Sequence, residues 1–390
     1  MAQGTPKLAI ITTHPVQYYA PIFQLLTQRK KIEIKVFYTW GENAIAKHDP
    51  GFGRQVEWDI PLLDGYNYDW VKNTSKKPGS DHFNGIINPD LIDKLKSWQP
   101  NAILVFGWAY HSHLQVMRQF KNKLPVYFRG DSTLLDEQGG LKSLLKTILL
   151  TWVYRHVDHA FYVGTNNKVY FKKYGLKDDR ISFTPHAVDN ERFGIERTEE
   201  VVKLRERLGI ASNATLVLFA GKLEEKKSPL LLLQVFLSLN RPDAHLLFAG
   251  NGDMEAELKQ EANSSENVHF IDFQNQSFMP VVYQACDLFC LPSKGPGESW
   301  GLAVNEAMAC KKAVLVSDKC GCAVDLVKTE NGLVFKAEDF SELQSALATL
   351  LSRTSESADY GIRSQEIIVD WTFAHVAAAI ETKTNKTAAK

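Results

Sequence analysis

Residues 288–309 read Leu288-Phe289-Cys290-Leu291-Pro292-Ser293-Lys294-Gly295-Pro296-Gly297-Glu298-Ser299-Trp300-Gly301-Leu302-Ala303-Val304-Asn305-Glu306-Ala307-Met308-Ala309. Leu288–Leu291 is a short apolar run and reads as a buried strand. A loop rich in Gly and Pro follows, and a helix begins near Gly301. Strand, loop and helix in that order form the repeating unit of a parallel sheet, because parallel neighbours need a crossover. The loop opens on a helix N-terminus, whose unpaired N–H groups and positive dipole end suit an anion. Glu298 in the loop and Glu306, about a turn and a half into the helix, are acceptors suited to sugar or ribose hydroxyls. Taken alone, the stretch also reads as a helix start beside an ordinary surface glutamate.

The same rhythm extends in both directions. Strands are expected at Lys7–Thr13, Glu33–Thr39, Ala102–Phe106, Val126–Arg129, His159–Val163 and Ile181–Phe183. A second series covers Thr215–Ala220, His245–Ala249, Val268–Ile271, Leu288–Leu291, Ala313–Ser317 and Leu333–Phe335. Helical patterns lie between them, among them Ala20–Arg29, Glu199–Leu208, Pro229–Leu239 and Val304–Ala309. Near-continuous apolar strands joined by helices predict parallel sheets covered on both faces. Pro185 and the polar run Asp189-Asn190-Glu191-Arg192 separate the two series. The expected fold is α/β, two doubly wound Rossmann-like domains facing across a cleft. The expected divisions are 1–185, 186–370 and a C-terminal helix with a frayed polar tail at 371–390.

Composition narrows the function. The 390 residues carry 45 Lys plus Arg and 45 Asp plus Glu, so the formal net charge is zero, which disfavours a dedicated nucleic-acid binder. No apolar run approaches the roughly 18–20 residues of a membrane span. The start, Met1-Ala2-Gln3-Gly4-Thr5-Pro6-Lys7, runs straight into a strand, so a cytoplasmic chain is expected, at most peripheral at the inner membrane face. Cys286, Cys290, Cys310, Cys320 and Cys322 are odd in number and lack metal-site spacing, so free thiols are expected.

Other stretches hold candidate chemistry. Gly221-Lys222-Leu223-Glu224-Glu225-Lys226-Lys227-Ser228 follows a strand, and Lys222 and Lys227 could neutralise a diphosphate or merely be solvated. Gly250-Asn251-Gly252-Asp253 is a glycine turn without the third glycine of a dinucleotide fingerprint, so NAD is not expected. His14 follows the first strand, and Arg129 and Asp131 end a later one; His14 could pack or cap, and Asp131 could cap a helix. His111 and His113 lack a third metal ligand and read as structural. Lys177–Arg180 reads as a loop. Leu141–Val157 is amphipathic, with Lys142, Lys146, Arg155 and His156 among its apolar residues. It could face the core or lie on a membrane.

In this order the motifs resemble the retaining glycosyltransferases of family 4, which have the GT-B architecture. Glu298-x7-Glu306 is similar to that family's Glu-x7-Glu element. Gly221-Lys222-Leu223 with Lys227 resembles its Gly-Arg-Leu…Lys element. Lys222 stands where Arg is common, keeping the charge without the bidentate fork. Asp318–Val327 with Asn331-Gly332 resembles a Gly-Gly…Glu-Val…Asn-Gly stretch, with Cys322 in place of the second glycine. Pro185–Asp189 with Arg192-Phe193 resembles the interdomain element. Many members carry a functional His near residues 129–132, where this chain has Arg129 and Asp131.

The resemblance implies transfer of a sugar from a nucleotide-diphosphate sugar to a hydroxyl acceptor with retained anomeric configuration, and implies no metal or other cofactor. Lys222 and Lys227 would hold the diphosphate, Glu306 the ribose, and Glu298 with the backbone of Ser299, Trp300, Gly301 and Leu302 the donor sugar. Gly250 is a further candidate for nucleotide binding, and base contacts are expected from the loop after Val268–Ile271, around Phe273-Gln274-Asn275. His14, Arg129 and Asp131 are the candidate catalytic helpers of the N-terminal half. A glycan or lipid-linked acceptor and peripheral membrane contact are expected partners. A GT-B phosphorylase, a sugar-nucleotide epimerase and a non-catalytic GT-B subunit are the alternatives.

Overall fold

A computed structural model describes residues 4–42, 48–49, 54–55, 57–263, 265–353 and 357–388. The chain divides into two compact units. Unit 1 comprises 1–47, 60–185 and 373–390, and unit 2 comprises 48–59 and 186–372.

Unit 1 holds a seven-stranded, all-parallel sheet. Its strands are β1 (Lys7–Thr12), β2 (Glu33–Tyr38), β3 (Tyr68–Trp70), β4 (Ala102–Phe106), β5 (Val126–Arg129), β6 (His159–Tyr162) and β7 (Ile181–Phe183). Their spatial order is β3-β2-β1-β4-β5-β6-β7. β1 pairs with β2 on one side (Leu8 with Ile34) and with β4 on the other (Leu8 with Ala102). Such a strand is buried on both faces, hence its unbroken apolar sequence. β3 was not expected from the sequence, because Asp69 interrupts its aromatic run. Asp69 is met by Lys94 at 3.0 Å and Lys35 at 3.6 Å, which lets the edge strand form. Ile11, Val105, Phe128 and Phe171 lie in the main core of this unit.

Unit 2 repeats the plan with six parallel strands: β8 (Thr215–Ala220), β9 (Ala244–Ala249), β10 (Val268–Ile271), β11 (Leu288–Leu291), β12 (Ala313–Ser317) and β13 (Gly332–Phe335). Their order is β10-β9-β8-β11-β12-β13. Both units are doubly wound α/β layers, as the strand rhythm predicts.

Three local expectations are corrected. The polar tail is not frayed through 382–388: helix Phe373–Ala388 holds it inside unit 1. Glu381 is buried against Arg29 at 2.9 Å, and Tyr127 donates from its hydroxyl to Thr387 at 2.6 Å. Residues 178–180 form a 3-10 turn rather than a loop. Residues 48–59 belong to unit 2, although they precede most of unit 1 in sequence. Asp59 accepts from the Ser277 backbone N–H, and Asn275 Nδ2 donates to the Glu57 carbonyl at 2.6 Å. These long-range bonds leave no local sequence signal.

Candidate active site

In unit 2 the chain runs β8, β9, β10 in one direction, then returns to the other side of β8 for β11. The sheet therefore switches direction between β8 and β11, and loops leaving the two strands diverge there. A crevice at the carboxyl ends of strands beside such a switch is the ligand position of open α/β sheets. The two loops are Gly221–Ser228 and Pro292–Gly301, the stretches that carry the candidate lysines and glutamates.

The loops are tied to each other. Lys294 N donates to the Lys226 carbonyl at 2.9 Å. Lys227 Nζ lies 2.6 Å from Glu298 Oε2, and Ser293 Oγ donates to the same oxygen at 3.0 Å. The two charged side chains are only 17% and 12% exposed. Burial pushes the Lys227 ammonium down, and the Glu298 carboxylate more than reverses this, holding it above its usual value. Lys227 is thus a fixed cation at the end of β8. Lys222, half-buried, stands five residues before it on the same loop.

A third loop braces the second. Gly321 N donates to the Glu298 carbonyl at 3.1 Å, and Cys322 N to the Trp300 carbonyl at 2.9 Å. A Cβ on Gly321 would overlap the Ser299 carbonyl, so only glycine lets the loops approach this closely. Gly301, at φ 99°, then turns the chain into helix Leu302–Ala309. Gly250 packs its bare backbone against the Gly221 carbonyl. It therefore shapes the floor of the first loop.

On that helix Glu306 is 4% exposed, and the Tyr283 hydroxyl donates to its Oε2 at 2.8 Å. Trp300 is inside: its Nε1 donates to Asn305 Oδ1 at 2.8 Å and its ring packs on Trp371. Asn305 Nδ2 in turn donates to the His186 carbonyl at 3.0 Å. The Trp300 side chain is scaffold, and its backbone belongs to the loop. Phe273 N donates to Asn251 Oδ1 at 2.8 Å, and its ring meets the half-buried Trp58 edge-on at 6.0 Å. Tyr283, Ser293, Asn305 and Trp58 were missed by sequence reasoning. Ser293 and Asn305 lie within the quoted stretch and were there to be read; Tyr283 and Trp58 act through tertiary contacts only.

The remaining candidates belong to unit 1. His14 Nδ1 is hydrogen-bonded to Thr13 Oγ1 at 2.8 Å, with the ring edge-on to Trp40. Arg129 is buried, and its guanidinium donates to the carbonyls of Thr184 and Pro185, each at 2.9 Å. Burial pulls it down to about 10. No helix begins at Asp131, and the next one in the chain starts at Leu141. Its carboxylate adds to the burial that pushes the Tyr19 phenol up to about 12, against the lowering effect of Arg129. His113 is buried, with Nδ1 donating to the Gly107 carbonyl at 2.8 Å and Nε2 bonded to Thr39 Oγ1 at 2.8 Å. All five cysteines are free and buried. Burial pushes the Cys320 thiol, near Glu298 and Lys227, up to about 12. Among the described residues no group of three or more His, Cys, Asp or Glu could hold a metal ion.

Residues 201–366 match the family of glycosyl transferases group 1. That segment lies within unit 2. The match covers the lysine loop, the Glu298-x7-Glu306 stretch and the bracing loop together. A D-inositol 3-phosphate glycosyltransferase of Nocardia farcinica is 28% identical over 219 residues, 53% of this chain and 48% of that one. A GDP-mannose-dependent monoacylated alpha-(1-6)-phosphatidylinositol monomannoside mannosyltransferase of Corynebacterium glutamicum is 26% identical over 230 residues, 54% and 60% of the two chains. The chain thus spans about half the length of the curated relatives it matches. Among solved structures, Anabaena Alr3699/HepE in complex with UDP and glucose superposes with a TM-score of 0.73 at 18% identity, covering 98% of this chain and 100% of that one. WaaG, a glycosyltransferase involved in lipopolysaccharide biosynthesis, does so at 0.67 and 14%, covering 97% and 99%. These likenesses run through both units, and the fold is GT-B.

Proposed function

We propose that the chain is a retaining glycosyltransferase of family 4 that moves a sugar from a nucleotide-diphosphate sugar to a hydroxyl acceptor. The observation that carries this reading is the pairing of Lys227 with Glu298 at the switch point of the unit 2 sheet. A cation held above its usual value there meets the charge that grows on a departing diphosphate. Lys222 adds a second cation on the same loop. The start of helix Leu302–Ala309 adds N–H groups and a positive dipole end.

In this reading Glu306, oriented by Tyr283, accepts from the ribose hydroxyls. Glu298 and the Ser299–Leu302 backbone take the donor sugar. Phe273 and Trp58 offer aromatic surface to the base, for which any π-face suffices. The bond from the anomeric carbon to the diphosphate oxygen breaks. A bond to the acceptor oxygen forms on the same face, and the acceptor hydroxyl proton passes to the leaving phosphate oxygen. The lysines neutralise the diphosphate, so the proposed reaction needs no metal. The acceptor we favour is a lipid-linked glycan or polysaccharide intermediate. The phosphatidylinositol mannoside named for the C. glutamicum relative is an acceptor of that kind.

A thermal-shift titration of the full chain with UDP, GDP, ADP and their sugar conjugates tests the reading. Ligand at roughly 100 times its dissociation constant stabilises by about 2.7 kcal/mol. A shift with one nucleotide, lost in Lys227→Ala, is expected and identifies the base. The absence of a shift with all of them overturns the reading.

A further inference from the structure

Helix Leu141–Tyr154 presents two opposed faces. Leu150, Val153 and Tyr154 are buried in the unit 1 core. The other face leaves Leu141, Leu144, Leu145, Ile148, Leu149 and Trp152 in solvent, with Leu145 and Ile148 60% and 61% exposed. At 100° per residue Leu141, Leu145, Ile148 and Trp152 form one stripe, with Leu144 and Leu149 on its flanks. The other exposed large apolar residues, such as Phe83, Ile195 and Val334, are scattered. The sequence left this segment open between a core helix and a surface helix, and the exposure decides for the surface.

Charge identifies what covers the stripe. Lys142 and Lys146 rim one side and Arg155 the other, while Arg118 lies over the Trp152 ring at 5.5 Å. Residues 141–157 include no Asp or Glu. A second copy meeting this face would set these cations against their own kind, with no carboxylate on the helix to receive them. An anionic lipid surface accepts both the apolar stripe and the basic rim. At about 1.5 Å per residue the helix is roughly 21 Å long. Among the described residues no helix is long and apolar enough to cross a membrane.

We propose that helix Leu141–Tyr154 docks unit 1 in the plane of an anionic membrane, its apolar stripe among the acyl chains and its cations at the phosphates. This does not rest on the transferase reading, and its test uses no substrate. The full chain is sedimented with vesicles of phosphatidylcholine alone and of phosphatidylcholine mixed with phosphatidylglycerol. Binding is expected to be about tenfold tighter or more on the anionic vesicles and to weaken with added salt. The double variant Leu145→Glu/Ile148→Glu, in which both positions are exposed, keeps its melting temperature and loses at least about tenfold in binding. A blue shift of tryptophan emission on vesicles is expected and should shrink in Trp152→Phe. A wild-type chain that stays in the supernatant overturns the proposal. So does equal binding by the double variant. A lipid-free dimer that the double variant dissolves also overturns it, because a second copy then covers the face.

Discussion

Lys227 Nζ and Glu298 Oε2 stand 2.6 Å apart, joining the loops that leave β8 and β11. Cation and anion each reduce the cost of burying the other, so removing one leaves the other uncompensated. Lys227→Ala is expected to lower stability by about 2–4 kcal/mol. It should also slow transfer by about a hundredfold or more, the usual scale for one preorganised charge at a leaving group. Lys227→Met combined with Glu298→Gln should regain most of the stability and none of the activity. Urea melts beside initial rates separate the two effects, and equal recovery of both would show that the pair is purely structural.

Glu306→Ala should abolish transfer and weaken nucleotide binding, with the chain still folded. Tyr283→Phe removes only the hydroxyl that fixes Glu306 Oε2. A positioning bond is worth about 1 kcal/mol, so the affinity loss should be a few-fold. Nucleotide affinity measured for both variants checks the order. Activity within about twofold of wild type in Glu306→Ala would refute the site assignment.

Two glycines separate steric overlap from backbone strain. Gly297→Ala places a Cβ in open space at φ 95°, so only left-handed strain of about 1–2 kcal/mol is expected. Gly321→Ala drives a Cβ into the Ser299 carbonyl and must separate two loops. The expected loss is about 3 kcal/mol or more, with nucleotide binding lost as well. Melting temperatures of the two variants test the contrast, and a smaller effect at 321 than at 297 would contradict it.

Burial outweighs the hydrogen bonds of His113 to Gly107 and Phe106 and pulls its imidazole down to about 4. His159, also mainly through burial, falls to about 4. Native His113 stays neutral where the unfolded chain begins to take up a proton near 6.5. The unfolded state therefore binds more protons between about 6.5 and 4, and stability drains away as pH falls through that window. Each of these histidines should cost about 2 kcal/mol by pH 5. Urea midpoints from pH 7.5 to 4.5 should fall, and less steeply in His113→Gln. A flat profile would contradict the burial argument.

Arg129 holds the carbonyls of Thr184 and Pro185 at the end of unit 1. Arg129→Met should destabilise unit 1 by about 3 kcal/mol, because buried carbonyls lose their donors. Folded Arg129→Met should still bind nucleotide, since the residues proposed to hold it, Lys222, Lys227 and Glu306, all lie in unit 2. Loss of nucleotide binding by the folded variant would give this arginine a direct role in the site.

The strand rhythm was legible because strands buried on both faces must be apolar throughout, as Thr215–Ala220 and Leu288–Leu291 are. The loops bearing Lys227 and Glu298 and the helix bearing Glu306 were legible for a related reason: a switch point places ligand positions directly after strands. Tyr283 carries no local signal, since its role depends on a helix packed 23 residues away. Tyr68–Trp70 was hidden by Asp69, whose charge is met by lysines on other elements. The Leu141–Tyr154 helix shows a limit of periodicity. An apolar stripe identifies two faces without saying which one the core takes, and here the buried face is the one holding Leu150 and Val153.

A calorimetric titration of the full chain with UDP, GDP and ADP, each beside its monophosphate, decides whether Lys227 holds a nucleotide diphosphate. One diphosphate is expected to bind, its monophosphate about tenfold more weakly, and Lys227→Ala should remove this difference. Equal affinity of wild type and Lys227→Ala for the diphosphate, or no binding of any nucleotide, would contradict it.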